Sequence, residues 1–166
     1  MEVESTKWKV AVVLAVALTG AAALAAQDPQ KRITPAEVPW PAGSATGSLV
    51  GSSGVSGIQT VTLKGDPTRP GLYTLLLRVG PNTKIQAHSH PDDRVATVVS
   101  GDWYFGYGRD FNEAALKHLP PGSFYTEPPG MDHFAMTKAT GVVIQISGTG
   151  PSATTYADPK NDPARK

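Results

Sequence analysis

The chain reads Gly80-PNTKIQA-His88-Ser89-His90-PDD-Arg94-VATVVS-Gly101 and, after a break, Gly122-SFYTE-Pro128-Pro129-Gly130-MD-His133-FAM-Thr137. In both segments, runs of β-branched and aromatic residues are fenced by Gly, Pro, Asn or Asp, the punctuation of short strands. His88 and His90 are separated by a single residue. On a strand, residues i and i+2 face one side, so the two imidazoles point together. His133 opens a later strand, just past a Pro-Pro-Gly turn. Two histidines on one face and a third from a neighbouring strand suffice to hold a divalent ion.

Strand signals continue on either side. Runs at 58–64, 71–79, 85–90, 94–100, 103–107, 123–127, 133–137 and 142–146 are separated by turn residues. Short runs at this spacing predict an all-β sandwich or barrel in a single domain. A short helical turn is expected at 112–117, with Asn112 as its cap. At 40% hydrophobic and 17% charged, the chain is too apolar for disorder and too polar for a multi-span membrane protein. Lys plus Arg is 15 against 14 for Asp plus Glu, with no basic stripe, so no nucleic-acid partner is expected. The chain has no cysteine, which excludes disulfides, thiolate metal sites and a cysteine nucleophile.

The N-terminus reads as a leader. Lys7-Trp8-Lys9 precedes the apolar run VAVVLAVALTGAAALAA, and Ala23-Leu24-Ala25 fits the small-residue rule for cleavage. Residues 1–25 are therefore expected to be a secretory signal peptide. The destination would be periplasmic or secreted, with no membrane span left after cleavage. Residues 26–57 are rich in Pro, Gly and Ser, and Trp40 among them reads as a packing anchor. The barrel is placed at 58–150, and 151–166 is expected to be an irregular tail.

The two quoted segments resemble the paired motifs of the cupin family, whose members are small jelly-roll β-barrels. The second motif of that family, G-x5-P-x-G-x2-H-x3-N, is met from Gly122 through Pro128, Gly130 and His133, with Thr137 in place of the final Asn. In the first, the opening Gly80 stands two residues early, and Arg94 stands where the family has an acid. The stretches RVATVVSGDWYFGYG and FNEAALKHLPPGSFYTEPPG also resemble a group of small single-domain cupins without a settled activity. The resemblance implies a cupin β-barrel that binds one divalent transition metal (Fe, Mn, Zn, Ni or Cu) through His88, His90 and His133. It also implies a small-molecule ligand or substrate and a homodimer. The expected function is a metal-dependent oxygenase, isomerase or lyase acting on a small oxygenated, anionic substrate. The alternative is a non-catalytic cupin that binds a sugar or carboxylate.

Arg94 is the departure that matters. A guanidinium carries no lone pair and cannot ligate. At about 6 Å from a dication it would cost about 5 kcal/mol at an effective dielectric of about 20. Three outcomes compete: Arg94 turns away or pairs with Asp92 or Asp93; Arg94 stays and an anionic substrate bridges it to the metal; or no metal binds. Strand parity adds Gln86 and Thr137 to the inward face as candidate substrate contacts, and Tyr104 is a further candidate. Asp92 and Asp93 read as solvated turn carboxylates, and His118 as a surface residue.

Overall fold

Tyr73, Leu75, Leu77 and Val79 alternate along one strand and Val142, Ile144 and Ile146 along another, and all seven are buried. That period of two gives each strand one face for the core. The structure, a computed structural model, describes residues 30–42 and 50–165. The expected leader, and most of the glycine- and serine-rich run that follows Pro41, lie outside the described residues.

Among the described residues, ten strands build two antiparallel five-stranded sheets. They are β1 (Gln59–Lys64), β2 (Gly71–Val79), β3 (Lys84–Ser89), β4 (Arg94–Gly101), β5 (Trp103–Tyr107), β6 (Lys117–Leu119), β7 (Phe124–Glu127), β8 (His133–Met136), β9 (Val142–Gly150) and β10 (Thr155–Tyr156). One sheet has the order β1-β2-β9-β4-β7, the other β10-β3-β8-β5-β6. Their inner faces meet in a single core, in which Trp103 and Phe105 of β5 lie with Ile144 and Ile146 of β9. This is the expected all-β, single-domain jelly roll.

Several elements differ from expectation. β9 runs on to Gly150, because its partner β2 continues the ladder down to Gly71. β6 was not foreseen; its KHL sequence carries little strand signal and is held by pairing with β5. The tail expected to be irregular contributes β10, which pairs Thr155 with Ser89 and Tyr156 with His88, followed by two 3-10 turns. The predicted helical turn shortens to a 3-10 turn at Glu113–Ala115, capped by Asn112, whose side chain accepts the Ala114 amide. Trp40 is half-buried and outside the core cluster: the exposed Arg78 guanidinium lies 4.0 Å over its ring, and Gln59 of β1 donates to the adjacent Pro41 carbonyl, so it packs on the outer side of the sheet and not over the core as expected.

Gly101 turns the chain between β4 and β5 at φ +78°. A Cβ there would lie 2.0 Å from the Gly141 carbonyl oxygen. At Gly122, φ is +86° but nothing lies within 4 Å of the added carbon. Gly122→Ala is therefore expected to cost only backbone strain, about 1–2 kcal/mol, and Gly101→Ala distinctly more. Urea denaturation of the two variants checks the order; equal midpoints would contradict it.

Candidate metal centre

His88 and His133 face each other across the β3–β8 ladder. His90 follows the end of β3. The three ring centroids are 4.5, 5.1 and 5.3 Å apart, and one nitrogen from each ring lies within 4.8 Å of the others. All three side chains are buried. The expected convergence is met.

Backbone carbonyls set the tautomer of each ring. His88 Nδ1 lies 2.8 Å from the Gln86 oxygen, His90 Nδ1 2.6 Å from that of Ala153, and His133 Nδ1 3.1 Å from that of Met131. A carbonyl only accepts, so each Nδ1 carries the proton and donates it. Nε2 is left with its lone pair, the state a metal ligand needs. Burial keeps the rings neutral. It lowers the His88 pKa to about 3, with help from His133, and that of His133 to about 4. His90 is lowered further, by burial and then by the Arg94 charge.

The carboxylate that seemed absent is present, on another strand. Arg94 opens β4, and its register partner on β7 is Glu127. Their Nε and Oε2 lie 2.8 Å apart, and both residues are buried. The same Oε2 is 3.7 Å from His90 Nε2 and 3.9 Å from His133 Nε2. Arg94 therefore neither turns away nor pairs with Asp92 or Asp93. It remains beside the cavity with its charge met by Glu127, and its Nη1 donates to the Gly51 carbonyl. No motif spacing reveals such a partner. The available signal was a glutamate just before Pro128, set against an arginine where an acid was expected.

The remaining candidates are redistributed. Gln86 is not on the inward face. β3 holds one extra residue between Ile85 and His88 relative to β8, so those two share the cavity although three apart. Gln86 lines a separate surface pocket instead, with Lys84 and Tyr156. Thr137 is fully buried but structural: its hydroxyl donates to the Gly80 carbonyl and accepts the Thr83 amide. Tyr104 lies on the outer face of its sheet, stacked on His118 at 4.9 Å, with Lys138 over the ring. Its neighbours Trp103 and Phe105 take the inward positions. His118 is at the surface, as expected, paired with Asp102 at 2.7 Å. Asp93 is exposed, but Asp92 is not a solvated turn residue: it is buried and accepts the Tyr73 hydroxyl at 2.5 Å.

The cavity lined by the three histidines, Glu127 and Arg94 has a volume of about 30 Å³. His133 Nε2 is buried there without a hydrogen-bond partner, and Glu127 Oε2 has the Arg94 guanidinium beside it but no neutral donor. Buried polar atoms in that state mark a place where a ligand completes the set. Three neutral imidazoles and a carboxylate fit a first-row divalent ion.

No family model and no curated protein matches the chain. Solved structures do. The DMSP lyase DddQ from Ruegeria pomeroyi DSS-3 matches with a TM-score of 0.54 at 18% identity, over 72% of this chain and 61% of that one. An RmlC-like cupin from Shewanella frigidimarina matches with a TM-score of 0.52 at 17% identity, over 74% of this chain and 93% of its own. A chain from the crystal structures of the DMSP lyases RdDddP and RnDddQII matches at 21% identity with a TM-score of 0.48, over 56% of this chain; this chain spans about half, 47%, of that one.

The lowered histidine pKa values give stability a sign. Unfolded histidines take up protons near pH 6.5, whereas the folded rings resist until about 4 and below. Between those limits the unfolded chain binds more protons, so stability rises with pH and falls on acidification. The metal-free protein is expected to lose urea resistance between about pH 6.5 and 4. His133→Gln should flatten that slope; an identical slope would rule out a neutral buried ring.

Proposed function

Because the chain is a cupin by fold, we propose that it is a metal-dependent enzyme, exported through its N-terminal leader, acting on a small oxygenated, anionic molecule. One observation carries the reading: three neutral imidazoles, each with its Nε2 lone pair free, share a buried cavity with a carboxylate oxygen whose charge is met by Arg94. His88, His90, His133 and Glu127 would hold the ion. Such an ion supplies Lewis acidity, polarising a bound carbonyl or hydroxyl oxygen and acidifying bound water.

The rest is the work of the chain's own side chains. The backbone carbonyls at Gln86, Ala153 and Met131 keep the rings oriented. Arg94 balances the Glu127 charge, so the protein's own groups sum to zero around the cavity. An arriving dication then keeps its full attraction for an anionic substrate. The apolar lining by Ile85, Phe105 and Ile144 lowers the local dielectric and strengthens that attraction. Glu127 also offers a carboxylate oxygen that accepts a proton, a role otherwise unfilled in the cavity. The small volume of the cavity, about 30 Å³, favours a second reading, a non-catalytic binder with a structural metal.

Metal analysis of the purified protein tests the site. Stoichiometric first-row metal is expected, lost in His88→Ala and His133→Ala and kept in His118→Ala. Glu127→Gln is expected to weaken affinity about tenfold or more. A protein that holds no metal, and whose Tm no first-row ion raises, would refute the site. With the metal known, turnover in a screen of diketones, thiols, cyanohydrins and sugar acids separates oxygenase, isomerase and lyase; none in any class favours the binder.

A further inference from the structure

The chain that precedes β1 reaches the cavity at Ser53. Residues 51–53 are buried there, and three consecutive carbonyls are tied down by side chains from elsewhere in the fold. Arg94 donates to the Gly51 oxygen at 2.9 Å, Thr154 to that of Ser52 at 2.9 Å, and Tyr156 to that of Ser53 at 2.5 Å. Each anchor has a second contact, and each second contact is a member of the candidate metal set. Arg94 pairs with Glu127. The Thr154 hydroxyl lies 3.4 Å from His90 Nδ1. Tyr156 packs its ring 5.4 Å from that of His88, its ladder partner. The segment is thus fastened by the same three residues that support the ligands.

Ser53 lines the cavity beside the histidines. It is 5% exposed, and its hydroxyl has no hydrogen-bond partner. Leaving a buried hydroxyl unpaired costs about 1–3 kcal/mol, a cost a bound molecule would remove. The cavity itself, at about 30 Å³, has room for an ion and a water or two, not for an organic substrate. Glycines with positive φ stand at both ends of the segment, Gly51 at +92° and Gly54 at +74°.

We propose that residues 51–54 form a cap on the metal cavity which lifts for ligand exchange, and that the Ser53 hydroxyl is the cap's own contact to the bound molecule. The ligand this selects is small and carries a carbonyl or carboxylate oxygen: the hydroxyl donates to that oxygen while the ion takes another. The proposal rests on the metal reading given above. It extends that reading by adding a substrate-contacting residue outside both histidine segments and a reason for the C-terminal tail to fold back.

The full chain loaded with cobalt(II) provides the test, since the absorbance of the bound ion reports on its ligands. Tyr156→Phe and Thr154→Val each remove one fastening hydroxyl and keep the side chain's bulk. Each is expected to speed stripping of cobalt by a chelator about fivefold, the worth of one hydrogen bond, with cobalt affinity changed much less. Acetate serves as the oxygen-ligand probe. Ser53→Ala is expected to weaken its binding, read from the cobalt spectrum, about fivefold. Unchanged stripping rates, or rates that rise only in step with lost affinity, overturn the cap. Equal acetate affinity in Ser53→Ala overturns the contact. If the unaltered protein takes up no cobalt, the metal reading itself fails and the cap falls with it.

Discussion

The Arg94–Glu127 ion pair is the constraint around which this barrel is arranged. Two charges taken out of water lose several kcal/mol of hydration each, and only close pairing and further hydrogen bonds offset the loss. The pair meets that demand by register: Arg94 and Glu127 face each other across β4 and β7, both on the inner face of the sheet. The guanidinium spends one nitrogen on the carboxylate and another on the Gly51 carbonyl. The carboxylate keeps Oε2 beside the histidines. A change at either residue thus reaches the sheet, the segment before β1 and the cavity together.

Much of the fold was legible because its signals are local. Alternation and turn residues mark β2 and β5 to the residue, and place β3, β4, β7 and β8 within one or two positions of their ends. The convergence of His88, His90 and His133 was legible too, although for His88 the simple parity argument is incomplete. The extra residue in β3 shifts its phase, so Ile85 and His88 face the cavity and Gln86 does not. A bulge leaves no mark in KIQAHS that sequence alone would single out. Glu127 stayed hidden for a different reason: its meaning depends on which residue lies across the ladder, and register is a property of the paired strands. Thr137 and Asp92 show a third kind of opacity. Both are polar and buried, and their partners Gly80, Thr83 and Tyr73 are remote in sequence.

Burial and hydrogen bonding act in concert on the imidazoles. Removal from water disfavours the charged form, and the carbonyl at each Nδ1 selects one of the two neutral tautomers. The rings are therefore preorganised as donors in advance of any ion. This is the economy of a jelly roll as a scaffold: rigid strands carry the donors, and the low-dielectric core between the sheets tunes them.

The back-folded tail has a consequence for how the protein matures. The carbonyl that fixes the His90 tautomer belongs to Ala153, and the strand that borders His88 is β10. Both follow β9 in the chain and reach β3 only by folding back onto it. A nascent polypeptide can assemble most of both sheets and still lack these two supports. The orientation of His88 and His90 is therefore a late event in folding, fixed only when residues 153–156 return to the edge of β3.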